Sequence, residues 1–179
     1  MTIDWQQAAK ADNFVISTSR LLIRPLAEPD LQLYLDLYTN AETMVFVGEP
    51  LLTEKAISSF QIALRINAKT PFKRLFLNIV EQGQCAGLCA INQWNSEAAQ
   101  VEVGIMLLRP WHGRGYATEA LAALIQRVQQ QFYTAVIKGD LDPENKAAVQ
   151  LVLKTGFQPD LNCSRTYWVK QNDAVVPFS

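Results

Sequence analysis

Apolar and polar positions alternate along the chain in blocks that predict short strands interleaved with helices. Arg20 to Leu26 reads as a strand stopped by Pro25, and Glu28-Pro29-Asp30 starts a helix carrying Leu31, Tyr34, Leu35 and Tyr38. After the break at Gly48-Glu49-Pro50, Thr53 is the predicted N-cap of a second helix bearing Ile57, Phe60, Ile62, Leu64 and Ile66. Leu75–Val80 and Gly87–Gln93 are predicted strands joined by a hairpin turn at Gln82-Gly83-Gln84, and Trp94 to Ala99 forms a polar connection. Gln100 to Leu108 is a further strand. Behind it Ala117, Leu121, Leu124, Ile125, Val128 and Phe132 recur at helical spacing. Ala135–Leu141 is a strand, Ala147–Lys154 a helix with Gly156 as its C′ residue, and Phe157–Leu161 and Ser164–Val169 a closing strand pair. Residues 1–13 are polar apart from Trp5 and form a short helix or a loose extension. A single mixed α/β domain is expected over 14–179.

Composition narrows the function classes. A chain of 179 residues can build a core without metal or disulfide staples, and 49% hydrophobic with 18% charged residues indicates a soluble globular protein. A net charge of −1 without a basic stripe argues against a nucleic-acid partner. No signal peptide or membrane-length apolar run is read, so the expected location is cytoplasmic, with no membrane partner. Cys85, Cys89 and Cys163 show no metal-ligand spacing, and no metal is expected. Cys85 and Cys89, four apart on one strand, lie about 13 Å apart, too far to bridge. All three read as small buried hydrophobes in a reducing compartment.

The chemistry concentrates at Leu107–Ala120, where a strand ends, a Gly-containing loop follows and a helix begins. Unpaired N–H groups and the dipole at such a helix start suit a phosphate, Gly113 and Gly115 permit close backbone approach, and Arg114 between them offers a bidentate phosphate contact. Neither the dinucleotide fingerprint nor the P-loop pattern fits. Gly113-Arg114-Gly115-Tyr116-Ala117-Thr118-Glu119-Ala120 resembles the acyl-CoA pyrophosphate loop of the GNAT N-acetyltransferase superfamily, in particular the branch containing ribosomal-protein alanine N-acetyltransferases. Pro110 departs from the Gln or Arg usual in the superfamily three residues before the first Gly. Asn145 to Phe157 resembles the family's Asn-x-x-Ser/Ala … Lys-x-Gly-Phe helix, and the pattern extends from Arg20 to about Lys170.

The resemblance implies an α+β arrangement with a mixed, mostly antiparallel central sheet flanked by helices. It implies acetyl-CoA as co-substrate, its pyrophosphate held by backbone N–H groups of His112, Gly113, Arg114, Gly115, Tyr116 and Ala117, with Thr118 adding a hydroxyl. Asn145 contacts the pantetheine or caps its helix. The oxyanion donor maps to a backbone N–H near Met106, Leu107 or Leu108.

For the general base, Glu102 interrupts the apolar run Val101, Val103, Ile105, Leu107 and shares the opposite strand face with Gly104 and Met106. The other reading of Glu102 is a solvated or ion-paired strand residue. Glu119 reads as structural, stabilising the dipole or tying down the loop, and His112 as packing or contacting the cofactor. Many superfamily members place a Tyr acid where this chain has Val152, and the branch resembled often has Ser where it has Ala148. Protonation of the leaving thiolate is left to water, to Tyr116 or Tyr167, or to no side chain.

The expected activity is direct acetyl transfer to a primary amine, on a protein N-terminus or a small molecule, by a monomer or homodimer. The alternatives are an acyl-CoA-binding sensor without catalysis and a nucleotide-binding regulatory domain.

Overall fold

A computed structural model describes residues 4–95, 100–132 and 136–169. In chain order they form α1 (Trp5–Ala8), β1 (Ile16–Ser17), β2 (Leu21–Pro25), α2 (Leu31–Tyr38), α3 (Ala41–Met44) and α4 (Thr53–Asn67). There follow β3 (Leu75–Glu81), β4 (Gln84–Asn95), β5 (Gln100–Leu107), α5 (Tyr116–Gln131), β6 (Val136–Asp140), α6 (Lys146–Lys154), β7 (Gln158–Pro159) and β8 (Thr166–Val169).

Local chemistry sets most boundaries. Gln82 and Gly83 take positive φ of 47° and 79°, the backbone of a tight hairpin turn whose twist matches the strands it joins. At the end of α6, Gly156 takes φ 91° and the Phe157 N–H returns to the Val152 carbonyl at 3.0 Å, closing the helix as the Gly predicts. Three boundaries differ from expectation. The Ala56 N–H bonds the Leu52 carbonyl, so Leu52 holds the cap position of α4 and Thr53 is already helical. β4 continues through Trp94 to Asn95, where a connection was expected. The closing strands shrink to Gln158–Pro159 and Thr166–Val169. The rest of the 94–99 connection, and Ala135, lie outside the described residues.

The strands form one eight-stranded sheet in the order β1-β2-β3-β4-β5-β6-β8-β7. Every pairing is antiparallel except β5 with β6, which α5 joins as a crossover. Strand alternation separates two apolar faces. Leu77, Ile79, Cys89, Ile91, Val101 and Val103 pack toward the Leu121, Leu124 and Val128 side of α5. Phe76, Leu88 and Ala90 pack on the other face against Leu33, Tyr34 and Leu37 of α2 and Phe60 of α4. From Ala8 onward the N-terminal stretch belongs to the first of these cores: Ala8, Ala9 and Phe14 are buried, and the Phe14 ring lies 5.4 Å from Phe72 and 5.9 Å from Phe132.

Polar groups pin both helices of the second face. Asp30, 2% exposed, takes two hydrogen bonds from Arg24, at 2.7 and 2.8 Å, and others from the Ala27 N–H and Asn78 Nδ2. Burial alone would raise the Asp30 carboxyl, but these donors, Arg24 foremost, outweigh it and hold it below the ordinary carboxylate range. Asn67 at the end of α4 donates to the Phe76 carbonyl at 2.7 Å and accepts from the Phe76 N–H at 2.9 Å.

The feature that positions a site is a splay in the sheet. β5 and β6 pair only from Gln100, Val101 and Glu102 to Val136, Ile137 and Lys138. Beyond that point β5 stays with β4 while β6 follows β8, and a slot opens between them.

Candidate active site

Two clefts meet at the splay. The narrower, about 530 Å³, is bounded by the end of β5, the loop His112–Gly115 and the start of α5, with Asn145 and Ala148 of the α6 region opposite. The wider, about 850 Å³, runs along the face of β5 that carries Glu102, Gly104 and Met106. Phe46, Val47, Ile105, Met106, Asn145 and Ala148 border both, so the clefts are continuous.

The loop is shaped by its glycines. Gly113 and Gly115 have φ of 74° and 79°, left-handed values that favour Gly, and Gly115 is the residue preceding the first turn of α5. A Cβ built on Gly113 would meet no protein atom within 4 Å. That position is open for a ligand, and the free N–H groups at the start of α5 suit an anion such as a pyrophosphate. Thr118 borders the same cleft.

Behind the loop, Glu119 does the tying expected of it. It accepts from Thr18 Oγ1 at 2.5 Å, Ser19 Oγ at 3.1 Å, the Arg20 N–H at 3.1 Å and Arg20 Nε at 2.6 Å. Its partial burial works to raise the carboxyl, and the hydrogen bonds from Thr18 and Arg20 more than offset this and lower it. Arg20 in turn donates from Nη1 to the Arg114 carbonyl at 3.0 Å and lies 4.3 Å over the Tyr116 ring. Sequence reasoning missed Arg20, whose partner is 99 positions away.

Backbone hydrogen bonding distinguishes the three peptide N–H groups at the strand end. The Leu108 N–H is spent on the Ala86 carbonyl at 2.9 Å, which removes it as a donor to substrate. By antiparallel alternation Met106, two residues back and opposite Leu88, also faces β4. Leu107 therefore turns its peptide groups toward the splay, where His112 Nε2 sits 2.9 Å from the Leu107 carbonyl oxygen. His112 thus contacts the strand end while bordering the narrower cleft. Gly87, opposite Leu107, is required by close approach: a Cβ there would stand 2.3 Å from the Met106 carbonyl oxygen.

The other predicted residues divide. Asn145 Oδ1 caps α6 by accepting from the Ala148 N–H at 3.1 Å, and Asn145 also borders both clefts. The Arg114 side chain is exposed beside the loop, with its carbonyl held by Arg20, and is not part of the wall of the narrower cleft. Glu102 borders the wider cleft and is ion-paired, its Oε2 3.1 Å from Lys138 Nζ. Of the two tyrosines considered for the thiolate, Tyr167 is buried in the α5-side core and the Tyr116 hydroxyl points to Glu81 at 3.4 Å. Of the cysteines expected to be buried, Cys89 is, while Cys85 is half-buried and Cys163 exposed. Among the described residues no group of His, Cys, Asp and Glu is arranged to hold a metal ion, and no helix is long and apolar enough to cross a membrane.

Residues 20–158 match the acetyltransferase (GNAT) domain family. An uncharacterized N-acetyltransferase, p20, of Bacillus licheniformis is 23% identical over 145 residues, covering 80% of this chain and 82% of its own. Spermidine N-acetyltransferase from Vibrio cholerae, solved with CoA and spermine, superposes with a TM-score of 0.74 at 18% identity, over 86% of this chain and 97% of its own. The ribosomal L7/L12 alpha-N-protein acetyltransferase RimL, solved with coenzyme A, superposes with a TM-score of 0.75 at 14% identity, over 87% and 97%.

Proposed function

Because the chain belongs to the GNAT acetyltransferase family, we propose that it uses acetyl-CoA to acetylate a primary amine directly, within a ternary complex. The observation that carries this reading is the meeting of two unlike clefts at the splay: one opens on a Gly loop and a helix start suited to pyrophosphate, the other holds a carboxylate. Two solved relatives were captured with CoA, which agrees with that use of the narrower cleft.

Acetyl-CoA supplies the thioester, and the chain's own groups do the rest. The peptide N–H groups from His112 to Ala117, with the Thr118 hydroxyl, hold the pyrophosphate. Asn145 borders the path of the pantetheine between the clefts. The Leu107 N–H is the oxyanion donor, because its neighbours in the strand are committed to β4. Glu102 is the base. Four residues of strand, about 13 Å, separate it from Met106, so it takes the amine proton through water rather than by contact. Gly104, with no atom within 4 Å of a Cβ built on it, leaves that route open. Neither Ala148 nor Val152 has an acidic hydrogen, so the proton that the attacking nitrogen loses after addition reaches the leaving thiolate through water. Among the described residues no cysteine borders either cleft, which favours direct transfer over an acyl-enzyme.

The test is calorimetric titration with acetyl-CoA and with CoA, followed by free-thiol release in the presence of amines and peptides. Binding with amine-stimulated thiol release is expected. Binding without release by any amine would replace the transferase with a sensor, and absence of binding would remove the loop from the argument.

A further inference from the structure

The wider cleft has a floor that the transfer chemistry does not require. Phe76, Ala90 and Gly104 stand abreast across β3, β4 and β5. With small residues at two of the three positions, the sheet has a trough between the Met106 and Glu102 side chains instead of a ridge. Tyr38, Phe46 and Phe76 give this trough aromatic walls. Tyr38 is stacked on Tyr34 at 4.3 Å, which fixes its ring, and Phe46 is 41% exposed with no core role to explain it.

One row further along the same face, Asn92 stands opposite Glu102, and Glu102 beside Lys138. Arg74, two residues before Phe76, falls on this face as well and borders the cleft. Charge in this row is uneven. Among the described residues the acids of the cleft are all paired, Glu102 with Lys138 at 3.1 Å and Asp140 and Asp142 with Arg165 at 3.4 and 3.8 Å. Arg74 has no carboxylate within ion-pair distance among the described residues, and its guanidinium lies 6.0 Å from the Phe76 ring centroid.

Resting on the transferase reading, we infer that the acceptor is a primary amine joined to an aromatic or bulky apolar body and, beyond it, to an anionic group that meets Arg74. The spacing follows from the sheet. Arg74 is two rows and two strands from Met106, about 13 Å along and 10 Å across, or roughly 16 Å between backbones. An arginine side chain reaches about 6 Å of this, which leaves about 10 Å between the reacting nitrogen and the anion. An extended tripeptide with an acidic third side chain has that length. A polyamine fits the chemistry less well: Glu102, the acid in this row, already faces Lys138, and the Phe76 face that would attract an ammonium is occupied by Arg74.

The experiment compares Ala-Phe-Asp-amide, Ala-Phe-Lys-amide and spermidine as acceptors, by initial rate of CoA release at saturating acetyl-CoA. The acidic peptide is expected to show a kcat/KM about tenfold or more above the other two. Arg74→Ala should abolish that preference by raising KM for the acidic peptide about tenfold, with kcat and the Kd for acetyl-CoA unchanged. Arg74 is exposed, so the variant should fold. Gly104→Val should raise KM for both peptides by filling the trough and also lower kcat by closing the water route to Glu102, again without change in the acetyl-CoA Kd. Equal rates for the two peptides, a preference for spermidine, or a preference that survives Arg74→Ala would overturn the inference. Failure to bind acetyl-CoA at all would instead remove the transferase reading on which it rests.

Discussion

Gly113→Ala separates the stability of the loop from its use. Gly113 holds φ 74° in open space, and an added Cβ meets no protein atom within 4 Å. Its cost to the fold is therefore conformational only, about 1–2 kcal/mol for an L-residue held in the left-handed region. For a domain of this size that lowers Tm by about 2–6 °C. The cost to cofactor binding is of another kind, because the methyl projects where a pyrophosphate would approach the peptide N–H groups. Loss of one charge-assisted hydrogen bond is worth about 1.5–3 kcal/mol, a fall in acetyl-CoA affinity of roughly 10- to 150-fold. Gly115→Ala is the control: it pays the same left-handed cost at φ 79°, but its Cβ faces Arg20 Nη2 at 3.5 Å, on the protein side of the loop. Thermal unfolding and calorimetric titration on both variants give the comparison. If Gly113→Ala lowers Tm as stated but binds acetyl-CoA as the parent does, the loop does not hold the pyrophosphate.

Further consequences can be checked with single variants. Glu102→Gln keeps the side-chain shape and removes the proton acceptor, so kcat should fall on the order of 10²-fold while acetyl-CoA affinity, set in the cleft that Glu102 does not border, stays the same; an unaltered kcat at neutral pH would take Glu102 out of the mechanism. Asp30→Asn leaves the half-buried Arg24 beside a neutral partner and should cost about 2 kcal/mol near neutral pH. Since the Asp30 carboxyl is held low in the fold, its contribution is complete above the ordinary value near 3.9 and is lost as pH falls through the lowered one, so the Tm gap between parent and variant should narrow below about pH 4; a gap constant from pH 7 to pH 3 would contradict the assignment. Cys163, exposed and with its thiol lowered by hydrogen bonds led by that from Thr166, should react first with a thiol reagent. Cys89, pushed up to about 12 by burial, should react only on unfolding, and mass mapping of the first labelled site checks the order.

Much of the fold was legible because its signals are local. The Gln82-Gly83 turn, the Gly156 helix end and the apolar period of α5 each depend on residues within a few positions of one another. What escaped notice was either short or supported from afar. α3 has four residues and no apolar period, and it holds its place through Asn40, which caps it by accepting from the Thr43 N–H. β1 has two residues and exists because β2 is there to pair with it. Ala8 and Ala9 look peripheral in a polar stretch, but both are buried in the core that holds Phe14, Phe72 and Phe132. Thr53 was placed one residue too far outside its helix because Thr is a good N-cap anywhere near a helix start, while the first backbone bond alone decides which residue is the cap.

The two halves of the site differ in the same way. Close to half of the narrower cleft's wall comes from one run, Ile105 to Thr118, so a strand end, two glycines and a helix start announce it in order. Its buttress was invisible, since Arg20 and Glu119 lie 99 residues apart and neither carries a recognisable pattern. The acceptor side is assembled wholly in that second manner. Arg74, Asn92, Glu102 and Lys138 come from four segments and form a row only when β3, β4, β5 and β6 are in register. A one-residue slip of β4 would turn Asn92 and Ala90 to the opposite face and close the trough with Ile91. On the proposed reading acceptor choice is a property of register, and the close approach of β4 to β5 at Gly87 would bear on the acceptor as well as on the strand end at Leu107.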